Sequence, residues 1–578
     1  MSCEFINHLK KLQKSSPESI DNADLLESYK AYLHVENEVE NDLRELLRQV
    51  NPNQEKCLVL VCGSAGDGKS HMVAFLKYAD SEELLNGYVS YNDATESRAP
   101  TQFASERMAE KLAPFNDSNY DDPDGTKMIV AINLGTLNNF IESDQGRSFS
   151  RLKKYVEDNG ILSGCARDNV YQPGSLFQHV SFSDYQIFTL TETGVNTTFL
   201  ERLLAKVFDS DQENPFYRSF CENAVCPHCK SCPVRHNYTF LSDPKYRKII
   251  INRIVEIVIK DKTIVSTREV LNLLYDLLVH PEFDPTTFFN PTNDVDFLQK
   301  YIFYTTPMLL DECGDSTIIK SMQKYDVLKE RRAEIDVDAT QFHSLENIDG
   351  IFSGVVRETA YAEIKSVSDV SALGASKPDL KRIIYRFIAR LRRFKDDPLQ
   401  GTIQNRYHEY ISYLYYQNCG QTKKLAKLYE SIKRAAMNWN GQFGNDLTCI
   451  DDTDDEYWIL EWLYLKPAPP KVSCSDQTEI MRFSPVLNLR LRKDGGSELE
   501  TAEVSVDYAL YEMISSIKDG YCPTVQDKNH HTDFVSFVNR VIEFGNKTSR
   551  ILLVSKGDKS APKLSFEKTD FGYEFKVV

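Results

Sequence analysis

The chain has no run of about 18 apolar residues, the length that crosses a bilayer, so its sequence offers no membrane-spanning helix. It also lacks an excess of base. Lys and Arg number 68 against 85 Asp and Glu, a net charge of −17. That balance excludes a globally basic nucleic-acid binder, though a local basic surface stays open. The opening residues Met1 to Lys10 have neither the charged head nor the apolar stretch of a secretory leader, and a cytoplasmic location with no membrane partner is the expectation. No internal repeat is visible. There is no H-E-x-x-H zinc-protease pattern and no G-x-S-x-G nucleophile elbow. What is present is an ordinary folding mixture, 41% hydrophobic and 26% charged, which excludes a low-complexity or disordered polymer. A length of 578 residues suggests about three or four domains.

Residues 1–52 read as helical, with Leu25, Leu26, Tyr29, Tyr32 and Leu33, then Val39, Leu43, Leu46 and Leu47, at helix spacing. Short apolar runs follow at Cys57–Cys62, Tyr88–Tyr91, Met128–Ile132 and Val180–Phe182, separated by helix-like segments such as Gln102–Leu112. Such runs suit parallel strands buried on both faces, and their alternation with helices predicts a doubly wound α/β core over 53–200. Residues 201–245 hold a cysteine-rich turn, 246–345 a helical lid, and 346–440 a helical domain with a basic helix. Residues 441–578 are mixed α+β, with strands at Leu487–Leu491, Ile551–Val554 and Tyr573–Val577 and a helix at Ser505–Ser516. The acidic run 451–456 reads as a solvated loop.

The strongest motif is Gly63-Ser64-Ala65-Gly66-Asp67-Gly68-Lys69-Ser70, which fits G-x-x-x-x-G-K-[ST] in full. It follows an apolar strand and precedes a helix that carries His71, Met72, Val73 and Leu76. Glycines permit a tight turn whose backbone N–H groups, with the helix dipole, cradle a polyphosphate. In this arrangement Gly63 to His71 bind ATP, Lys69 meets the β- and γ-phosphates, and the Ser70 hydroxyl sits on Mg²⁺. No strand ends in four apolar residues followed by Asp-Glu, so the acid of such a site is not obvious. Two strand tips compete. In Asn92-Asp93-Ala94-Thr95-Glu96, Asp93 is a candidate metal-side acid and Glu96 a candidate for polarising water; Asp93 as a plain helix cap is the alternative. In Ile132-Asn133-Leu134-Gly135, Asn133 is a candidate γ-phosphate sensor. Together they suit an AAA-type arrangement. Ser266-Thr267-Arg268-Glu269 opens a helix; Arg268 is a candidate lid sensor, and a capping box with a surface arginine is the other reading. Arg98, Arg147 and Arg151 are all open as an arginine finger.

Four of the 13 cysteines crowd into twelve positions, Cys221, Cys226, Cys229 and Cys232. The spacing C-x₄-C-x₂-C-x₂-C suits a structural Zn²⁺ with four thiolates, and His228 or His236 could replace one. An iron–sulfur cluster and free thiols are the alternatives. Lys381–Lys395 carries seven cations in fifteen residues, with Arg382, Arg386, Arg390 and Arg393 on one helical face. That ladder either tracks DNA phosphates or pairs with the abundant carboxylates. Glu363-Ile364-Lys365, with Asp349 upstream, gives a bare nuclease-like E-x-K, but the segment reads helical and the spacing is common by chance. DNA cleavage is therefore not assigned to this chain.

Taken together, Val61–Ser70, Asn92–Ser97, Ile132–Gly135, the cysteine cluster and Trp439-Asn440-Gly441 resemble the DptF family of DNA phosphorothioation-dependent restriction proteins. The resemblance implies a P-loop, AAA-like α/β core with a helical lid, a metal knuckle and a mixed α+β C-terminal domain. It also implies a bacterial defence ATPase that acts with DptG and DptH partners on DNA lacking phosphorothioate marks, with DNA met directly or through those partners. A homo-oligomer is among the assemblies open to it. A nucleotide-switched scaffold ATPase without DNA contact is the alternative, and a metabolic kinase built on the same loop is a third class.

Overall fold

In the computed structural model of the chain the described residues are 3–13, 28–64, 66–92, 104–122, 125–162, 169–182, 185–291, 294–312, 316–329, 333–344, 378–395, 402–444, 446–451, 453–470, 478–495, 500–545, 550–557 and 563–577. They form two compact units. The first takes residues 1–188, 197–258 and 263–399; the second takes 189–196, 259–262 and 400–578.

The first unit is built on strand β1 (Cys57–Gly63), in which every residue is buried. Such a run of β-formers without a polar break belongs in the middle of a parallel sheet, covered on both faces. Strands β2 (Val89–Asn92), β3 (Lys127–Asn133) and β4 (Phe177–Ser181) complete the sheet in the order β2-β3-β1-β4, and every pairing is parallel. Period-2 alternation divides β1 between two cores. Leu58, Leu60 and Cys62 face a core with Met108, Leu112, Phe140 and Leu152. Val59 and Val61 face the other, with Leu43, Leu46 and Leu47 and with Met72, Val73 and Leu76.

The N-terminal residues supply helices α1 (Glu4–Leu9), α2 (Ser28–Leu33) and α3 (Glu38–Asn53). Asn37 starts α3 by accepting the Glu40 N–H at 2.9 Å, which satisfies one of the free amides of the first turn. Helix α4 (Lys69–Tyr78) follows β1, and α5 (Ala104–Lys111), α6 (Leu134–Ile141) and α7 (Ser150–Asp158) complete the sheet's cover. The rest of the unit is largely helical: α8 (Thr198–Phe208), α9 (Pro215–Glu222), α10 (Pro233–Leu241), α11 (Pro244–Asp261) and α12 (Thr267–Leu278), then shorter helices up to the long helix Pro378–Lys395.

The second unit is mixed. A five-stranded antiparallel sheet joins Gly572–Val577, Leu564–Thr569, Arg550–Ser555, Tyr457–Trp462 and Leu447–Asp451. A smaller sheet joins Thr501–Val506, Leu487–Lys493 and Leu465–Pro467. The helix expected over Ser505–Ser516 begins only at Tyr508. Ser505 and Val506 end a strand whose alternating Ala502, Val504 and Val506 are buried, and Asp507 caps the helix by accepting the Leu510 N–H. Residues 454–456 of the acidic run are exposed. Asp349, Glu363 and Lys365 lie outside the described residues.

In the basic helix the pairing with carboxylates is the reading that holds. Its apolar residues Ile384, Phe387, Ile388 and Leu391 are buried, as expected of one face. But Arg390 and Arg393 are buried too, and only Arg382 of the ladder is exposed. Arg390 donates to Asp326 at 2.6 Å and to Glu312; Arg393 pairs with Asp311 at 2.8 Å, and Arg386 with Glu312 at 2.5 Å. The ladder is therefore an internal ion network, not a track for phosphates. Burial alone would raise the Asp326 carboxyl; the hydrogen bond and charge of Arg390 outweigh it and hold the carboxyl below its usual range. A carboxyl lowered in the folded state stabilises the protein above its unfolded pKa, and that contribution is lost as pH falls. Arg390→Ala is expected to cost about 3–5 kcal/mol by stranding buried carboxylates. In thermal melts of the full chain, the gap between wild type and variant should be largest near neutrality and narrow below about pH 4. An equal gap at both pH values would contradict this account.

Candidate functional site

β1 runs straight into the glycine loop, and α4 starts at Lys69 directly after Gly68. Gly66 has a φ of +90°, in the left-handed region that favours glycine. It is also closely approached: a Cβ there would fall 2.9 Å from the Ser266 hydroxyl. Gly63 is held by contact instead of by conformation, since a Cβ would meet Phe182 at 2.8 Å. Ala65 lies outside the described residues. Within the loop the Ser64 N–H donates to Asp67 Oδ2 at 2.5 Å, and Lys69 Nζ donates to the Ser64 carbonyl. Lys69 is buried. Ser70 stands in the first turn of α4, beside the loop amides.

The strand order decides which tip lies nearest. β3 is the direct neighbour of β1, and Asn133 is paired in register with Gly63. The Asn133 side chain accepts the Gly135 N–H at 2.8 Å and so caps α6. β2 lies at the sheet edge, one strand beyond β3. Its continuation, with Asp93, Glu96 and Arg98, is outside the described residues. Arg147 pairs with Asp144 and Arg151 with Asp121, both in exposed positions.

The amino end of α12 sits against the loop. Ser266 and Glu269 form the reciprocal capping box: the Glu269 N–H donates to Ser266 Oγ at 3.3 Å and the Ser266 N–H to Glu269 Oε2 at 3.0 Å. The capping box is therefore present, and Arg268 beside it lines the same cavity as Gly66, Asp67 and Gly68. The far wall is apolar, with Leu33, Phe199, Leu203 and Leu271. Nothing in the motif's spacing showed that this cavity also draws on Leu12 and on helices α2, α3, α8 and α12.

His71 also lines the cavity and belongs to a polar column that sequence reasoning missed. Its Nε2 lies 3.2 Å from His34 Nδ1, and His34 Nε2 lies 3.0 Å from the buried Glu40 carboxylate. His34 stacks on Phe75 at 3.5 Å. Glu40 in turn pairs with Arg44, and Arg44 with Asp80. Burial pushes the Glu40 carboxyl up, but His34 and Arg44 outweigh it and hold it below the usual range. The signal was present as His34 and Glu40 flanking an N-cap, but nothing in helical spacing tied them to His71.

The cysteines share a turn without forming one ligand group. Cys221 is exposed on the last turn of α9, whereas the turn proper is closed by the Cys226 N–H to Asn223 and the Cys229 N–H to Cys226. Cys232 caps α10, and burial pushes its thiol up to about 11. His228 stacks on Phe289, and His236 is buried in α10. Among the described residues no three His, Cys, Asp or Glu side chains gather as a metal-ligand set. Zinc, or an iron–sulfur cluster, therefore rests on sequence spacing alone. The structure adds Cys3, whose sulfur accepts from Asn223 Nδ2 at 3.5 Å, as a fifth thiol beside this turn.

No protein-family model matches the chain, and no curated protein matches it. Thiol labelling checks the cysteine geometry. Cys221 and Cys522 are exposed and should alkylate in the native protein; Cys57 and Cys62, buried and pushed up to about 12, should react only on unfolding. Protection of Cys221 that a chelator removes would show thiolates closing on a metal.

Proposed function

We propose that the chain is an ATP-binding and ATP-hydrolysing subunit of a bacterial DNA phosphorothioation-dependent restriction assembly. It would couple nucleotide state to DNA engagement or to assembly with DptG- and DptH-type partners. The observation that supports the ATP part is the complete glycine-loop motif between β1 and α4, with its residues Gly66, Asp67 and Gly68 lining one cavity together with Arg268 of α12 and apolar side chains. In this reading the loop amides and the dipole of α4 hold the phosphates. The Lys69 ammonium neutralises the β- and γ-phosphates, and the Ser70 hydroxyl takes Mg²⁺. Mg²⁺ supplies charge neutralisation across the phosphates when bound. Leu33, Leu203 and Leu271 give the base a surface to bury against, and Arg268 reaches from α12 toward the terminal phosphate. Asn133, beside Gly63, is the nearest strand-tip amide, and Asp93 and Glu96 remain the proposed acids. The restriction role and its partners rest on the resemblance of the motifs alone.

One observation favours the second reading, a nucleotide-switched scaffold ATPase without direct DNA contact. Three of the four arginines that offered a DNA track, Arg386, Arg390 and Arg393, are spent on Asp311, Glu312 and Asp326. In the first reading DNA is then met through partners or elsewhere on the chain.

ATPase measurement with and without DNA, on wild type and Lys69→Ala, separates these. Lys69→Ala is expected to abolish nucleotide binding or hydrolysis; an unchanged rate would sink the loop assignment. Stimulation by DNA supports the restriction role, a rate indifferent to DNA supports the scaffold, and phosphate transfer to a small acceptor would reveal a kinase.

A further inference from the structure

Asp67 places a carboxylate where a phosphate cradle is expected to present donors. Its Oδ2 accepts the Ser64 N–H at 2.5 Å and lies over Gly63, where a Cβ would fall 2.7 Å from that oxygen. From the other side Lys69 gives its ammonium to the Ser64 carbonyl. Both polar groups of the Ser64 backbone are thus held by side chains of the same loop. The lysine that should meet a phosphate is drawn onto the backbone as well. The surroundings favour anion crowding. Glu269 on α12 adds a second negative charge, and burial raises the Asp67 carboxyl above its usual range despite the opposing charge of Lys69.

A carboxylate and a phosphate ask for the same donors, so one excludes the other. If both stayed, two anions would share the half-buried loop and repel each other at short range. We infer that Asp67 is an internal stand-in for phosphate, whose carboxylate holds the loop amide of Ser64 and must be displaced by an incoming nucleoside triphosphate. Asp67 is then an affinity-setting residue, and it holds nucleotide binding weaker than the loop alone would give. Entry of the phosphates frees Lys69 in the same event, because both side chains let go of Ser64 together. The inference rests on the phosphate-loop reading of Gly63–Ser70.

The test uses the full chain as wild type, Asp67→Asn, Asp67→Ala and Lys69→Ala. Calorimetry reads the affinity for ATP and for inorganic tripolyphosphate, each with and without Mg²⁺, and circular dichroism confirms that each variant is folded. Asn keeps the shape without the charge, and Ala removes the contact altogether. Both Asp67 variants are expected to bind ATP and tripolyphosphate about tenfold more tightly, the scale of one charged hydrogen bond, in either cation condition. Unchanged or weaker binding beside a wild type that binds overturns the inference and leaves the loop reading standing. Weakening confined to Mg²⁺ would make Asp67 a metal-side ligand and also overturns it. Binding by the Asp67 variants where wild type shows none supports it. No binding by any of the chains overturns the loop reading, and this inference with it.

Discussion

The first unit depends on burying Cys57–Gly63 on both faces. A strand with no exposed residue and a parallel neighbour on each side has nowhere to turn within the sheet, so the chain must leave at its carboxyl end and return through a helix. That constraint places the glycine loop at the carboxyl end of the sheet, beyond an inner strand. It also fixes its company: the register that pairs Val61 with Ala131 and Val180 sets Asn133 beside Gly63 and brings Phe182 over it. The apolar faces of α3 and α4 are consequences, since they must cover Val59 and Val61.

Around that fixed point the charges are used in two distinct ways. At the loop, the charges of Lys69 and Glu269 act on Asp67, which lines a cavity. Deep in the helical part, Arg390 and Arg393 are locked between Asp311, Glu312 and Asp326. Buried ionic groups of the second kind contribute specificity of packing more than net stability, because the desolvation of each ion offsets much of the attraction. Between these extremes, the column His71–His34–Glu40–Arg44–Asp80 adds polar contacts to the apolar packing that joins the loop helix to the N-terminal helices.

How much of this was legible in the sequence follows from what each signal depends on. The four strands of the parallel sheet could be read because continuous apolar runs leave no other way to be buried, and each run fell within three residues of its strand. The loop motif was legible because it is contiguous. The arginine ladder could not be decided between its two readings, because helical spacing reports which residues share a face, not what lies opposite. The carboxylates that cover Arg390 come from residues 64 to 78 positions away. The closeness of Ser266 to Gly66, the His34–His71 contact and the approach of Cys3 to Asn223 are of the same kind: each joins segments that sequence order keeps apart. Likewise Trp439, part of the motif set, is a core residue against Phe534 with ring centroids 4.8 Å apart.

The second unit is not a terminal appendage. It claims the hairpin residues 189–196, where Thr189 pairs with Asn196 and both give hydrogen bonds to the Glu479 carboxylate, and it also claims residues 259–262, where Lys262 meets Asp507. The polypeptide therefore crosses between the units repeatedly before the main body of the second one is made. A gene cut after residue 399 would yield a C-terminal fragment missing a strand hairpin and an N-terminal fragment carrying an orphaned one. During synthesis, the hairpin emerges some 280 residues ahead of the glutamate that holds it, so the second unit closes only when the chain is nearly complete. A cut after residue 399 therefore separates Asn196 from the Glu479 carboxylate it donates to.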